Sequence, residues 1–189
     1  MRSELTSAQR LHKALLLARI PASILMGVAI LLLAHPTRLS WTLGLVVIVL
    51  GETLRIWASG YIHKSAEVTA SGPYAMCRHP LYLGHFIIAT GFCIAADSLP
   101  TFIIISISFF IIYMPTWKNE EKNLIALFGD TYAEFMASRF AILPRWNVRI
   151  LSGEFSWQMV KKHREWNHVL GLAAGAVGMI ALGLLHGTW

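Results

Sequence analysis

The run from Ala14 to Ala34 decides which solvent this chain folds in. It holds about 20 residues that are almost all apolar, and at 1.5 Å rise per residue a helix of that length crosses a hydrocarbon core of ~30 Å. Lipid offers the backbone no hydrogen-bond partners, so such a run must satisfy its own N–H and C=O groups as a helix. It is too long for a signal-peptide core and no small-residue cleavage site follows it, so it reads as a retained helix. Arg19, near its start, can extend its stem to the interface. Four further spans follow, about Thr42 to Tyr61, Leu81 to Ala96, Leu99 to Trp117 and Val169 to Leu185. With 56% apolar and only 14% charged residues, the expectation is an all-α integral membrane bundle of about five transmembrane helices.

The net charge of +6 does not point to nucleic acid, because the cations lie between the apolar spans and form no single stripe. They act instead as topology signals. Arg2, Arg10, Lys13 and Arg19 precede or open the first span, and Arg38 alone occupies the first loop. Arg55, Lys64 and Arg78 flank the second loop. Lys118, Lys122, Arg139, Arg145, Arg149, Lys161, Lys162 and Arg164 crowd the last polar segment. Short Lys- and Arg-rich loops stay in the cytoplasm, so the N-terminus and both polar segments, Ile62 to His79 and Lys118 to His168, are expected on the cytosolic side. The compact length suggests a bacterial inner membrane. Cys77 and Cys93 are too few and too far apart for a disulfide framework or a zinc site, and no metal is expected.

Local signals refine the plan. Asp97-Ser98-Leu99-Pro100 carries a capping side chain and an early proline, which fit a tight helical hairpin. Leu124, Leu127, Phe128, Tyr132, Phe135 and Met136 recur at helical spacing opposite Lys122, Asn123, Asp130 and Glu134, and so predict a cytosolic amphipathic helix with a possible break at Gly129. Arg139 to Phe155 has no period and reads as a loop. Gly171, Gly175 and Gly178 form a small-residue face on the last span, suited to packing within the chain or to a homodimer seam.

Four groups in the polar segments could carry chemistry. Ser71-Gly72-Pro73-Tyr74 is a turn that brings an aromatic ring to the mouth of the third span. In Arg78-His79-Pro80-Leu81-Tyr82-Leu83-Gly84, Pro80 excludes His79 from the helix and suits the first helical position. Tyr82 and His85 then share a face one turn in. The helix start offers unpaired N–H groups and a partial positive charge to a carboxylate or a ribose oxygen. Glu120-Glu121 can favour an ammonium or sulfonium and accept from ribose hydroxyls; alternatively the two acids form a solvated first turn. Glu52 and Arg55, three residues apart within a span, are either a mutual ion pair or cavity groups.

The ordered set of these motifs, continued by Phe128-Gly129-Asp130-Thr131-Tyr132 and Leu143-Pro144-Arg145, resembles the isoprenylcysteine carboxyl methyltransferase and phospholipid methyltransferase superfamily. The resemblance covers Ile62 to Arg145. It divides one membrane domain into an N-terminal two-helix hairpin (1–61), a cofactor-binding methyltransferase core (62–145) and a loop with an additional C-terminal helix (146–189). It implies S-adenosylmethionine as cofactor, held by Val68, Thr69, Tyr74, His79, Pro80, Leu81, Tyr82, Glu120 and Glu121. It also implies a catalytic pair, Arg78 and His79, with Arg78 in support. Thr116-Trp117-Lys118 stands where the prenylcysteine enzymes carry an arginine, which argues against a prenylcysteine substrate. Arg164-Glu165-Trp166-Asn167-His168 lies outside the resemblance and has no motif reading.

The implied reaction is methyl transfer to a hydrophobic or lipid-like acceptor that enters from the bilayer. An amine acceptor would need a base, for which His79 and His85 are available. The rival enzyme reading is an NADPH-dependent membrane reductase, because related folds carry a similar His-Pro-x-Tyr segment. Those proteins place Asn and an acid where this chain has Leu81 and His85. A non-catalytic membrane scaffold would keep the spans without needing His79 or Glu120-Glu121.

Overall fold

Backbone that must bond to itself folds as helix, and in the computed structural model, which describes residues 21, 24–63 and 66–189, no strand occurs among those residues. Helix α1 is described over residues 24–32. The first part of the expected span from Ala14, with Arg2, Arg10, Lys13, Arg19 and Lys64, lies outside the described residues. Then come α2 (Arg38–Ser59), α3 (Pro80–Ala95), α4 (Leu99–Phe128), α5 (Asp130–Ala137), α6 (Trp157–Lys162) and α7 (Glu165–Leu185), with single 3₁₀ turns at Gly72–Ala75 and Val148–Leu151.

Among the described residues, three helices are long and apolar enough to cross a membrane: α2, α4 and α7. At 16 residues, α3 is apolar but shorter. Large apolar side chains line the outside of these helices, including Leu43, Val46 and Leu50 on α2 and Ile104, Ile107 and Ile111 on α4. An exterior of this kind is a liability in water and is the expected surface in lipid. The chain is a membrane protein.

Caps set the helix starts. Thr37 and Ser40 bond reciprocally, Ser40 N to Thr37 Oγ1 at 3.1 Å and Thr37 N to Ser40 Oγ at 2.9 Å, so α2 begins four residues before the expected Thr42. Ser98 caps α4 and Pro100 occupies its first turn, as the hairpin reading anticipated. The other end of α4 departs from expectation. It does not stop near Trp117 but runs 30 residues to Phe128, so Glu120 and Glu121 stand inside one long helix and do not open a new one. The expected amphipathic helix is divided: Leu124 to Phe128 close α4, while Tyr132 to Met136 belong to α5. Gly129, at φ +56°, makes the joint in a backbone conformation that side chains disfavour.

The tightest helix contact lies between α2 and α3, where the sequence reading saw no small-residue face. Gly44 and Gly51 on α2 meet Gly91 and Gly84 on α3, both pairs spaced by seven residues. A Cβ on Gly91 would come within 2.8 Å of the Gly44 carbonyl oxygen and the Ile48 nitrogen, which are backbone atoms that cannot yield. On α7, Gly175 packs against Phe92 and Gly178 against Leu31, whereas a Cβ on Gly171 would meet nothing within 4 Å.

Gly91→Ala should therefore destabilise the bundle by ~1–3 kcal/mol through overpacking. Gly171→Ala should be neutral or stabilising by up to ~1 kcal/mol through helix propensity. Thermal unfolding of the two variants in detergent compares them directly.

Candidate functional site

The loop after α2, the start of α3 and the far half of α4 converge on a cavity of about 680 Å³. Its frame is backbone. Arg78 N donates to Phe140 O at 3.0 Å, His79 N to Ala141 O at 2.8 Å and Arg145 N to Met76 O at 3.0 Å. The stretch 140–145, with its Leu143-Pro144-Arg145 motif, therefore runs alongside 76–79 and holds it against the bundle. Pro80 opens α3 and His79 is its N-cap residue, with φ −128° and ψ 63°. Gly84 has a packing role: the Arg55 side chain crosses it, with Cγ only 2.5 Å from where a Cβ would sit.

Two carboxylates on α4 then divide the work. Glu121 faces the His-Pro segment, with His79 Nε2 3.0 Å and Arg78 Nε 3.3 Å from its Oε1. Arg78 also reaches the Met136 carbonyl at 3.4 Å. Glu120 turns to the cavity and accepts a hydrogen bond from Tyr82 Oη at 2.8 Å. The His79 ring stacks on Trp117 at 6.1 Å between centroids, and Tyr82, Phe109, Tyr113 and Trp117 form one buried aromatic cluster.

Of the residues the sequence singled out, Val68, Thr69 and Tyr74 line the cavity from the loop. Arg78, His79, Leu81 and Tyr82 line it from the start of α3, and Glu120 from α4. Pro80 and Glu121 do not line it. Pro80 fixes the helix start, and Glu121 stands behind the wall, bonded to His79 and Arg78. Tyr132 and Phe135 line the cavity from α5, as do Asn123 and Leu124 from α4. Helical spacing had put Leu124, Tyr132 and Phe135 on an apolar face and Asn123 on the opposite polar one, and by itself placed neither at a cavity.

The inner end of the cavity is the larger surprise. Arg55 and Glu52 are within ion-pair range, with Arg55 Nε to Glu52 Oε2 at 3.5 Å, but this is not the dominant contact. Arg55 Nη2 donates to Glu165 Oε2 at 2.6 Å, across 110 residues of sequence. Glu52 Oε2 is 2.8 Å from His168 Nδ1. Arg55 Nη1 also reaches the His85 ring at 2.7 Å. Arg55, His85 and Glu165 all line the cavity. The sequence offered no periodic or motif signal linking the start of α7 to this site.

Burial sets the protonation of the tyrosines outside the spans. It holds the Tyr74 phenol well above its ordinary range, and the neighbouring Cys77 and Glu120 push the same way. The Tyr74 hydroxyl oxygen is buried and has no hydrogen-bond partner, an arrangement that costs about 1–3 kcal/mol. Burial and then the Glu121 charge push Tyr132 up to about 12. Burial also pushes the Cys77 thiol up to about 12, so Cys77 is not a nucleophile at neutral pH.

Comparison with known proteins gives a consistent family. The sequence model for phospholipid methyltransferase matches residues 22–131, more than half of the chain. The cobalt-zinc-cadmium resistance protein CzcN of Cupriavidus metallidurans is 30% identical over 118 residues, covering 61% of this chain and 53% of that protein. The nickel-cobalt-cadmium resistance protein NccN of Alcaligenes xylosoxydans xylosoxydans is 29% identical over 106 residues, covering 55% and 49% respectively. The chain thus spans about half the length of the curated relatives it matches. No solved structure matches it at a significant level.

Two outcomes follow from the tyrosines. Tyr74→Phe removes an unpaired hydroxyl and should raise the melting temperature, or at least leave it unchanged. For Tyr132 the folded state binds the phenolic proton more tightly than the unfolded chain, whose tyrosine titrates near pH ~10. Its contribution to stability is therefore intact below that pH and lost as pH rises towards 12. Denaturant midpoints measured across this range should fall less steeply in Tyr132→Phe.

Proposed function

Because this chain belongs to the phospholipid methyltransferase family, we propose that it catalyses methyl transfer from S-adenosylmethionine to a hydrophobic or lipid-like acceptor at the cytosolic membrane face. The observation that carries this reading is the junction itself. His79 from the first polar segment and Glu120 from the second line one cavity whose volume suits a cofactor-sized ligand, and Glu121 joins the two segments behind its wall.

The donor set fits the cofactor. Tyr74 presents a buried hydroxyl with no protein partner at the cavity wall, and a ribose or carboxylate oxygen would satisfy it. Glu120 offers a carboxylate suited to ribose hydroxyls or to a positively charged sulfonium. The first turn of α3 at Leu81 and Tyr82 supplies N–H groups that helices leave unpaired and a local positive potential. S-adenosylmethionine, when bound, supplies an electrophilic methyl carbon for in-line displacement.

The chain's own contribution is alignment and exclusion of water. Glu121 locks His79 and Arg78 so that the start of α3 holds one position. Tyr82 orients the Glu120 carboxylate, and Tyr132 and Phe135 line the cavity from α5. Leu81, Tyr82 and Tyr113 give the inner wall an apolar surface for the acceptor. Orientation of this kind is worth ~7–11 kcal/mol in favourable systems. The distribution of cations supports a cytosolic site. The names of the relatives speak of resistance to cobalt, zinc, cadmium and nickel, which supports placing the activity in a cell's response to divalent metals.

Titration of the detergent-solubilised protein with S-adenosylhomocysteine tests the reading. Saturable binding is expected, weakened about tenfold or more by Glu120→Gln, His79→Ala and Tyr74→Phe; one lost charge-assisted hydrogen bond corresponds to such a factor. Tight binding of NADPH with no response to S-adenosylhomocysteine would overturn it in favour of a reductase.

A further inference from the structure

The cluster where α2 meets the start of α7 has no assigned task in methyl transfer, and its make-up is specific. On α7, Glu165-Trp166-Asn167-His168 puts a carboxylate and an imidazole three residues apart on one helical face. Glu52 on α2 supplies a second carboxylate from the facing helix. Helical bundles that bind metal through carboxylates use this grammar, a Glu from one helix and a Glu-x-x-His pair from another. In α2 the corresponding segment is Glu52-Thr53-Leu54-Arg55, so an arginine stands where a second histidine would complete a two-metal site.

We propose that Glu52, Glu165 and His168 form a binding site for one divalent first-row transition cation, with the Arg55 guanidinium holding the place of a second. One ligand atom from each of the three residues lies within 4.8 Å of the others. Small side-chain adjustments bring all three to the ~2.0–2.2 Å bonds of such a cation, and a solvent molecule completes four-coordination. One imidazole nitrogen with two carboxylates suits zinc, cobalt or nickel and does not suit a soft, thiolate-seeking ion.

Two further observations point to a ligand. Glu52 is 9% exposed, and its Oε1 is buried with no hydrogen-bond partner, although Oε2 of the same carboxylate meets His168. In addition, two buried carboxylates face one guanidinium. The two carboxylates outnumber the one permanently cationic side chain beside them, an arrangement that another cation would answer. His168, with 25% of its side chain exposed, gives the ion a way in. Because Arg55 and Glu165 also line the main cavity, a cation that draws on Glu165 alters the wall of that cavity. The inference does not depend on methyl transfer.

The test is titration of the tag-free, full-length protein in detergent with Co²⁺, without S-adenosylmethionine. Visible d–d absorption reports on coordination, and competition with Zn²⁺ reports on affinity. A single saturable site is expected, weakened at least tenfold in Glu52→Gln, Glu165→Gln and His168→Ala. Arg55→Gln is the discriminating variant: removing the resident cation should tighten Co²⁺ binding about tenfold or more. His168→Ala alters a partly exposed side chain, so its thermal melt should remain cooperative and its result readable if the buried variants fail to fold. Absence of saturable binding in both the wild type and Arg55→Gln would overturn the proposal. So would binding that His168→Ala leaves unchanged.

Discussion

One imidazole–carboxylate contact joins the two halves of this site. His79 Nε2 lies 3.0 Å from Glu121 Oε1, 42 positions away in sequence, and it connects the irregular loop before α3 to a long helix that carries two acids. Pro80 makes this possible by ending the loop and starting the helix at one residue, which leaves His79 as a cap whose side chain is free to turn towards α4. The remaining wall follows. With Glu121 committed to His79 and Arg78, its neighbour Glu120 points elsewhere, and Tyr82 holds it at the cavity. Adjacent carboxylates on a helix differ by about 100° in direction. One can therefore be structural while the other faces a ligand.

The same logic of paired charge governs the deeper end. An ionised group within an apolar bundle is expensive unless neighbours answer it, and Arg55, Glu52, Glu165, His85 and His168 answer one another across three helices. The network ties the start of α7 to α2 and α3, while farther along the helix Gly175, Gly178 and the buried Met179 supply its apolar packing. It also brings a helix that lies beyond the family-matched segment 22–131 to the edge of the cavity. The last helix therefore contributes to the site and is more than an extra span.

Some of this was legible in the sequence for clear reasons. Proline before a tyrosine-bearing turn, serine and proline at the head of α4 and glycine at 129 each restrict the backbone locally, and each does in the fold what its chemistry predicts. Val68, Thr69, Tyr74, Arg78, His79, Leu81 and Tyr82, with Glu120, line the cavity because a short loop and one helix start leave them little freedom to lie elsewhere. Where α4 ends was less legible. Polar residues after Trp117 suggested a boundary, yet charged side chains are good helix formers; Pro115 removes one backbone donor inside α4, but between Trp117 and Gly129 neither proline nor glycine interrupts the helix. The α2–α3 glycine contact was missed because glycines seven residues apart on separate helices show their purpose only once the two helices are paired.

From residue order alone came the solvent, the helical character, the caps and the short constellation around His79, because each depends on chain chemistry within a few turns. The fold alone settled which acid stands behind the wall and which faces the cavity, that Arg55 answers Glu165 more closely than Glu52, and that Tyr132 and Phe135 of α5 line the same cavity. Those outcomes depend on which helix faces lie together, and a contact spanning 110 residues leaves no mark on the local pattern of either end.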